Sequence, residues 1–222
     1  MRVLALLCLA IVATSASAAE RRYSVTDFDR IEVDGPYVVR LTTGRATTAM
    51  ATGPQAGIDR LTVEVSGQTL RIRRNRSGWT GTAGAQQGQV ELAITTRTLR
   101  AARIIGPGRI EVDRLTGLRG DLNVEGSGEL VVRDIATDNL FLRLVGSGRL
   151  ELNGRTGRLN ALFEGSGNAE AAGLVAQDAV VATTSFGIVA LHATRTARIT
   201  ANGRGEVTVA GRPACTVLGA SA

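Results

Sequence analysis

Cysteine, histidine, lysine and aromatic residues are scarce or missing in this 222-residue chain, and each shortage removes a class of function. Of the two cysteines, Cys8 lies in an N-terminal apolar run, which leaves Cys215 without a partner and rules out an internal disulfide framework. One histidine, His192, and one unpaired thiol argue against a zinc site, and no Ser-His-Asp set can be singled out around that histidine. No metal, cofactor or nucleic-acid partner is expected. Seven aromatic residues, of which Tyr37, Trp79, Phe141 and Phe186 are the candidates for exposure, give little support to a stacked sugar-binding platform. Beyond the N-terminus no stretch is long and apolar enough for a membrane helix.

What the chain has in excess is glycine at regular intervals. Gly106-Pro107-Gly108, Gly126-Ser127-Gly128, Gly146-Ser147-Gly148 and Gly165-Ser166-Gly167 are followed by Ser185-Phe186-Gly187 and Gly203-Arg204-Gly205, spaced by 20, 20, 19, 20 and 18 residues on the last glycine. A fixed period of this length marks a repeat protein. Aliphatic residues alternate on both sides of each corner: Ala102, Leu122, Leu142, Ala161 and Ile104, Val124, Leu144, Phe163 before it, Ile110, Leu130, Leu150, Ala169 and Val112, Val132, Leu152, Ala171 after it. Period two means strand. A unit of about 20 residues cannot bury its own apolar face, so coils must stack at about 4.8 Å, which predicts an all-β parallel β-helix. Glycine suits the corner because it adopts positive φ and lets coil lie on coil without a Cβ clash. A phosphate-binding loop would need a helix to start at the glycines, and strand residues follow instead.

The N-terminus, Met1-Arg2, an apolar run from Val3 to Ala13 and Ala16-Ser17-Ala18, reads as a secretory signal peptide over 1–18. Residues 19–222 are then expected to form a single exported β-helix domain, with irregular first coils over 19–103 and regular repeats over 104–222. In the irregular part Gly35-Pro36-Tyr37 is a corner in which one glycine has become tyrosine, and Val63, Val65, Gly67, Leu70 and Ile72 read as a second, tighter corner. Residues 75–88, rich in Gly, Thr, Ala and Gln, read as an inserted loop. Cys215 and Val217 fall on the inward parity, in line with Leu122 and Val124, so Cys215 is expected to be a buried, inert thiol.

The signal peptide, the opening Phe28-Asp29-Arg30-Ile31-Glu32-Val33-Asp34-Gly35-Pro36-Tyr37-Val38-Val39, the run Leu70-Arg71-Ile72 and the serial Gly-Ser-Gly coils together resemble the bacterial head GIN domain family, described as putative auto-transporter adhesins. The resemblance spans essentially the whole mature chain. It implies a right-handed β-helix on the outer side of the inner membrane, and it carries over no catalytic residues. No C-terminal segment reads as an outer-membrane translocator barrel, so the expectation is a periplasmic or separately exported surface module.

Outward charges pair across coils in this register: Arg109, Glu129 and Arg149 at one position, Asp113 and Arg133 at another, Arg114 and Asp134 at the next. The formal charge of +6 is concentrated in residues 60–103, where eight arginines meet two glutamates. Within it Arg71, Arg73, Arg74 and Arg76 lead into Trp79, a candidate patch for bidentate contact with phosphate or carboxylate. The function expected on this reading is a non-enzymatic, adhesin-like envelope module that binds an anionic polysaccharide, lipid or protein. A structural module that self-associates as a homo-oligomer is the alternative. A carbohydrate-active β-helix enzyme is a third reading, which would need paired carboxylates on one face. Arg119-Gly120-Asp121 matches an adhesive tripeptide, although tripeptides also arise by chance.

Overall fold

The computed structural model describes residues 19–75 and 88–219; the signal-peptide stretch 1–18, Arg76 and Trp79 lie outside them. The first part of the described chain runs β1 (Ala19–Tyr23), β2 (Arg30–Asp34), β3 (Tyr37–Thr43), β4 (Thr48–Gly53), the short helix α1 (Gln55–Asp59), β5 (Leu61–Ser66), β6 (Thr69–Arg74), β7 (Val90–Thr96) and β8 (Ala101–Ile105). The second part is β9 (Arg109–Gly126), β10 (Glu129–Gly146), β11 (Arg149–Gly165), β12 (Asn168–Ser185), β13 (Ile188–Ala201), β14 (Glu206–Ala210) and β15 (Ala214–Leu218).

From Arg109 onward the chain makes about six turns of a β-solenoid, each coil parallel to the next. Leu122 pairs with Leu142, Leu142 with Ala161, Ala161 with Val181 and Val181 with Ile199. Like therefore stacks on like, and the inward columns close one continuous core that includes Ile110, Leu130, Leu150, Val124, Leu144 and Phe163. Each such side chain contributes about 1.5–3 kcal/mol by leaving water. The segment that returns each coil to the next corner is also stranded, with Leu115, Ile135 and Leu174 buried and Thr137 donating to Thr156 at 3.1 Å inside the stack.

The two glycines of a corner do different work. The first takes the left-handed backbone, with φ of 83°, 107°, 115° and 105° at Gly106, Gly126, Gly146 and Gly165. The second lies against the coil below: a Cβ on Gly128, Gly148 or Gly167 would fall 2.8, 2.5 or 2.6 Å from a glycine carbonyl oxygen of the preceding corner. At the fifth corner Ser185 stands in the first place. There the Ser185 hydroxyl accepts from the Gly187 N–H at 2.9 Å and the Thr183 hydroxyl accepts from the Ser185 N–H at 3.1 Å, so side chains hold the bend.

The first coils differ from expectation in two ways. They are stacked out of chain order: β2 lies between β6 and β8, and β3 between β7 and β9, all parallel. The stretch from Val63 to Ile72 is not a solenoid corner but an antiparallel hairpin of β5 and β6 that turns at Gly67, φ 62°. A second antiparallel run, β1 on β4 on β7, covers the same end. Both devices hide a strand edge that a parallel stack would otherwise leave open. Tyr37, read as an exposure candidate, is 6% exposed because its corner is covered by the next coil at Gly108.

The other end is open. Cys215 is exposed, contrary to the sequence expectation, and pairs with Ala197, while Val217 is the residue in line with Leu122. Inward parity does not bury a side chain in a coil on whose outer edge no described strand is packed. Among the described residues β14 and β15 pair with β13 and with no other strand. Gly148→Ala is expected to cost about 1–3 kcal/mol through its backbone clash. Gly106→Asn, in open space and at an angle asparagine tolerates, should cost clearly less. Urea unfolding of the two variants checks this ranking.

Candidate functional site

Strand β6 alternates, with Leu70 and Ile72 fully buried, so Arg71 and Arg73 project outward and Arg74 stands at the strand end. The neighbours of these arginines come from two distant segments. Glu32 and Asp34 lie beside Arg71 and Arg73 on β2, while Glu64 and Thr62 lie beside them on β5. Arg73 donates to Glu64 at 2.7 Å. Arg71 approaches Glu32 at 3.9 Å, and Glu32 also faces Arg103 at 3.7 Å. Arg103 in turn donates to both oxygens of Glu125 at 3.0 and 2.9 Å, Arg100 is bound to Asp29, and Arg97 approaches Asp27 at 3.7 Å. The excess that looks bare in residues 60–103 is thus offset in space by acids from coils that lie elsewhere in the chain.

What remains is a cleft of about 570 Å³ lined by Asp34, Gly35, Thr62, Arg73, Arg74 and Asn75. The Arg74 guanidinium lies by the Tyr37 hydroxyl; burial pushes that hydroxyl above its ordinary value and Arg74 opposes the shift. The structure therefore brings Arg73 and Arg74 together at one cleft and leaves Arg71 beside it on the strand. Asp34, Thr62 and Asn75 were not legible as site residues, since no spacing in the sequence places β2 and β5 on either side of β6.

Elsewhere many of the outward charges are paired. Arg109 binds Glu129 and Arg114 donates to Asp134 at 3.0 Å, as their columns require. Arg149 binds Glu170 rather than Glu129, and Arg133 reaches Glu111 at 3.5 Å while Asp113 accepts from the Thr43 N–H and hydroxyl at 2.9 and 3.1 Å. Arg119 and Asp121 of the tripeptide bond to each other at 3.0 and 3.1 Å. Hydrogen bonds from Arg109 hold Glu111 below the usual carboxylate range, Arg103 does the same to Glu125, and Arg195 lowers Asp178. A glycosidase acid needs the opposite shift. Among the described residues no group of three or more His, Cys, Asp or Glu could hold a metal ion. No helix of the described chain is long and apolar enough to cross a membrane.

Residues 27–213, the solenoid with its cleft and covered end, match the family model described as putative auto-transporter adhesin, head GIN domain. The chain belongs to the head GIN domain family. Its solenoid is similar to that of a putative adhesin from Bacteroides fragilis, with 20% identity, TM-score 0.70 and coverage of 93% of this chain and 98% of that one. A putative lipid binding protein from Parabacteroides distasonis gives 21%, 0.69, 93% and 95%, and a putative adhesin from Parabacteroides merdae 16%, 0.67, 91% and 93%. At these identities the likeness establishes the fold. A search of curated proteins finds no match. Membership in a family of putative adhesins points to the cell envelope or surface and to a non-enzymatic module.

The lowered carboxylates of this head GIN domain set the sign of its acid response. A folded-state pKa below the ordinary 4.5 of Glu111 and Glu125 contributes stability that is fully present above about 4.5 and lost as pH falls through the depressed value. Thermal unfolding from pH 7 to pH 3 should show the midpoint falling below about pH 4.5, and Glu111→Gln with Glu125→Gln should flatten that fall.

Proposed function

We propose that this head GIN domain protein is a non-enzymatic, exported envelope module that holds carboxylate or phosphate groups of an envelope polysaccharide or lipid at the cleft between the Gly35 corner and the β5–β6 hairpin. The observation that carries the reading is the side-by-side placement of Arg73 and Arg74 in that cleft, with Asp34 as the one carboxylate in its lining. Arginine suits this task because its planar fork matches both anions with two parallel hydrogen bonds. Export is supported by the signal-like residues 1–18, and the module would then work in the periplasm or at the surface. Anionic envelope surfaces concentrate such ligands, and their attraction weakens within about a Debye length as salt rises.

The test is binding of the mature chain to an array of anionic glycans and lipids at low and physiological salt, beside a variant with Arg71, Arg73, Arg74 and Arg76 changed to Gln. Salt-dependent binding that the variant loses is the expected result. Equal binding by both proteins, or none, removes the cleft as a site.

A second reading, self-association, is favoured by the open end. Val217 is 66% and Leu218 53% exposed, with Phe186 and Ile188 also exposed nearby and the outer edges of β14 and β15 unpaired among the described residues. Stacking of one copy's open end on another's first coil is blocked by the hairpins there, so two copies would meet open end to open end, an isologous contact. Sedimentation velocity over a hundredfold range of concentration should show a dimer that Val217→Asp with Leu218→Asp abolishes. A monomer throughout sinks this reading.

A further inference from the structure

We infer that a second site, on the outer face built from the strand stretches before each corner, takes a single-chain anionic amphiphile, a fatty-acid-like molecule with a carboxylate head. One outward column on this face runs Arg30, Ala101, Asp121, Phe141, Asn160, Val180 from coil to coil. The next runs Arg103, Asn123, Arg143, Leu162, Ala182. Both change from charged to apolar as far as Val180 and Ala182, and the next coil returns to polar residues at Arg198 and Thr200. Five coil spacings of about 4.8 Å separate Arg30 from Val180, about 24 Å in all.

Two depressions follow this gradient and share Asp121. The first, about 470 Å³, is lined by Arg30, Arg100, Ala101, Arg119 and Asp121. The second, about 440 Å³, has Phe141, Leu162, Val180 and Ala182 as its apolar lining, with Asn123, Arg143 and Asn160 at its polar margin. Each volume is in the range of ligand pockets. At their junction the Arg119 guanidinium lies over the Phe141 ring, 4.2 Å from its centre, so the last cation of one depression and the first apolar group of the other are in contact.

The charge of the first depression fits an anion. Arg30, Arg100 and Arg119 face two carboxylates, Asp121 and the adjoining Asp29, which leaves one positive charge in excess. A guanidinium has five N–H donors. Asp121 takes two of them from Arg119, Asp29 two from Arg100, and Arg30 comes no closer than 3.8 Å to Asp29, so donors remain for a carboxylate head. The second depression has one cation in its lining, Arg143, which approaches Glu164 at 3.8 Å. Val180 is 45% exposed there, and burying it with Leu162 and Phe141 is what an alkyl chain would do. The site shares no lining residue with the Arg73–Arg74 cleft.

Calorimetric titration of the mature chain with dodecanoate below its micelle concentration tests the assignment, with dodecyl maltoside, dodecyltrimethylammonium and acetate as comparators. Saturable one-to-one binding of dodecanoate is expected, with acetate and the cationic surfactant not binding and the neutral one at least about tenfold weaker. Arg119→Gln should weaken dodecanoate about tenfold. Val180→Asp, at an exposed position whose variant is checked by circular dichroism, should abolish binding at this site, and the effects of Arg119→Gln and Val180→Asp should persist in an Arg73→Gln, Arg74→Gln background. Absence of saturable binding, equal affinity for the neutral surfactant, or binding indifferent to Arg119→Gln and Val180→Asp overturns the proposal. Loss of binding in the Arg73 and Arg74 variant would also overturn it, by moving the ligand to the other cleft.

Discussion

The close approach of backbone to backbone at the glycine corners is the constraint on which the rest of this head GIN domain depends. The Ser147 N–H donates to the Gly126 carbonyl at 2.9 Å and the Arg149 N–H to the Gly128 carbonyl at 2.9 Å, so the parallel ladder continues around the bend. A side chain at Gly148 would break that contact, because its Cβ would lie 2.5 Å from the Gly128 oxygen. With the corner closed, every face of one coil must sit in register on the same face of the next. The aliphatic columns then follow from the register, and the core needs no helix and no large aromatic cluster to fill it. Phe163 is the one phenylalanine fully enclosed in the regular coils.

The same register decides which charges meet. A residue on an outward column is neutralised mainly by what lies one coil away, about twenty residues along the chain, and in places by a residue two along its own strand, as Glu111 is by Arg109 and Asp121 by Arg119. Arg103 is answered by Glu125 and Arg114 by Asp134 for this reason. These pairs are largely solvent-exposed, and each is worth little individually. Their consequence is to offset part of the positive charge on the outward faces. The arginines of β6 follow the same rule, except that the strands beside them come from residues 30–34 and 61–66.

The regular coils were legible in the sequence because two periods coincide there, the alternation of strand residues and the twenty-residue return of glycine. The first coils were not, and Gly67 shows why. A hairpin turn and a solenoid corner both call for a glycine with positive φ between aliphatic alternations, so Val63 to Ile72 satisfies either pattern locally. Which one forms depends on the need to cover the edge of β6, a property of the assembled stack. Cys215 makes the complementary point: its parity was legible, but burial also needs a neighbouring coil. In the candidate site, Arg73 and Arg74 could be named from charge, whereas Asp34 and Thr62 are brought in by an out-of-order stack that leaves no mark in spacing. Tyr37 was misjudged as exposed on the same ground, since the strand that covers its corner begins at Arg109, over seventy residues later.

Stability and recognition are separated in this architecture more cleanly than in most. Inward columns and corner glycines hold the coils together, and substitutions at outward positions away from ion pairs change stability by about 0.5 kcal/mol or less. An outward side chain is therefore free of the core's demands. Charged or small polar groups would serve the fold equally well at Leu162 and Val180, which sit on the outside of β11 and β12 between polar neighbours. Folding does not account for an apolar groove at that place, joined at Arg119 to a cationic one. Contact with a molecule that has both an apolar and an anionic part does account for it, since such a ligand removes from water the apolar surface that the solenoid itself leaves exposed.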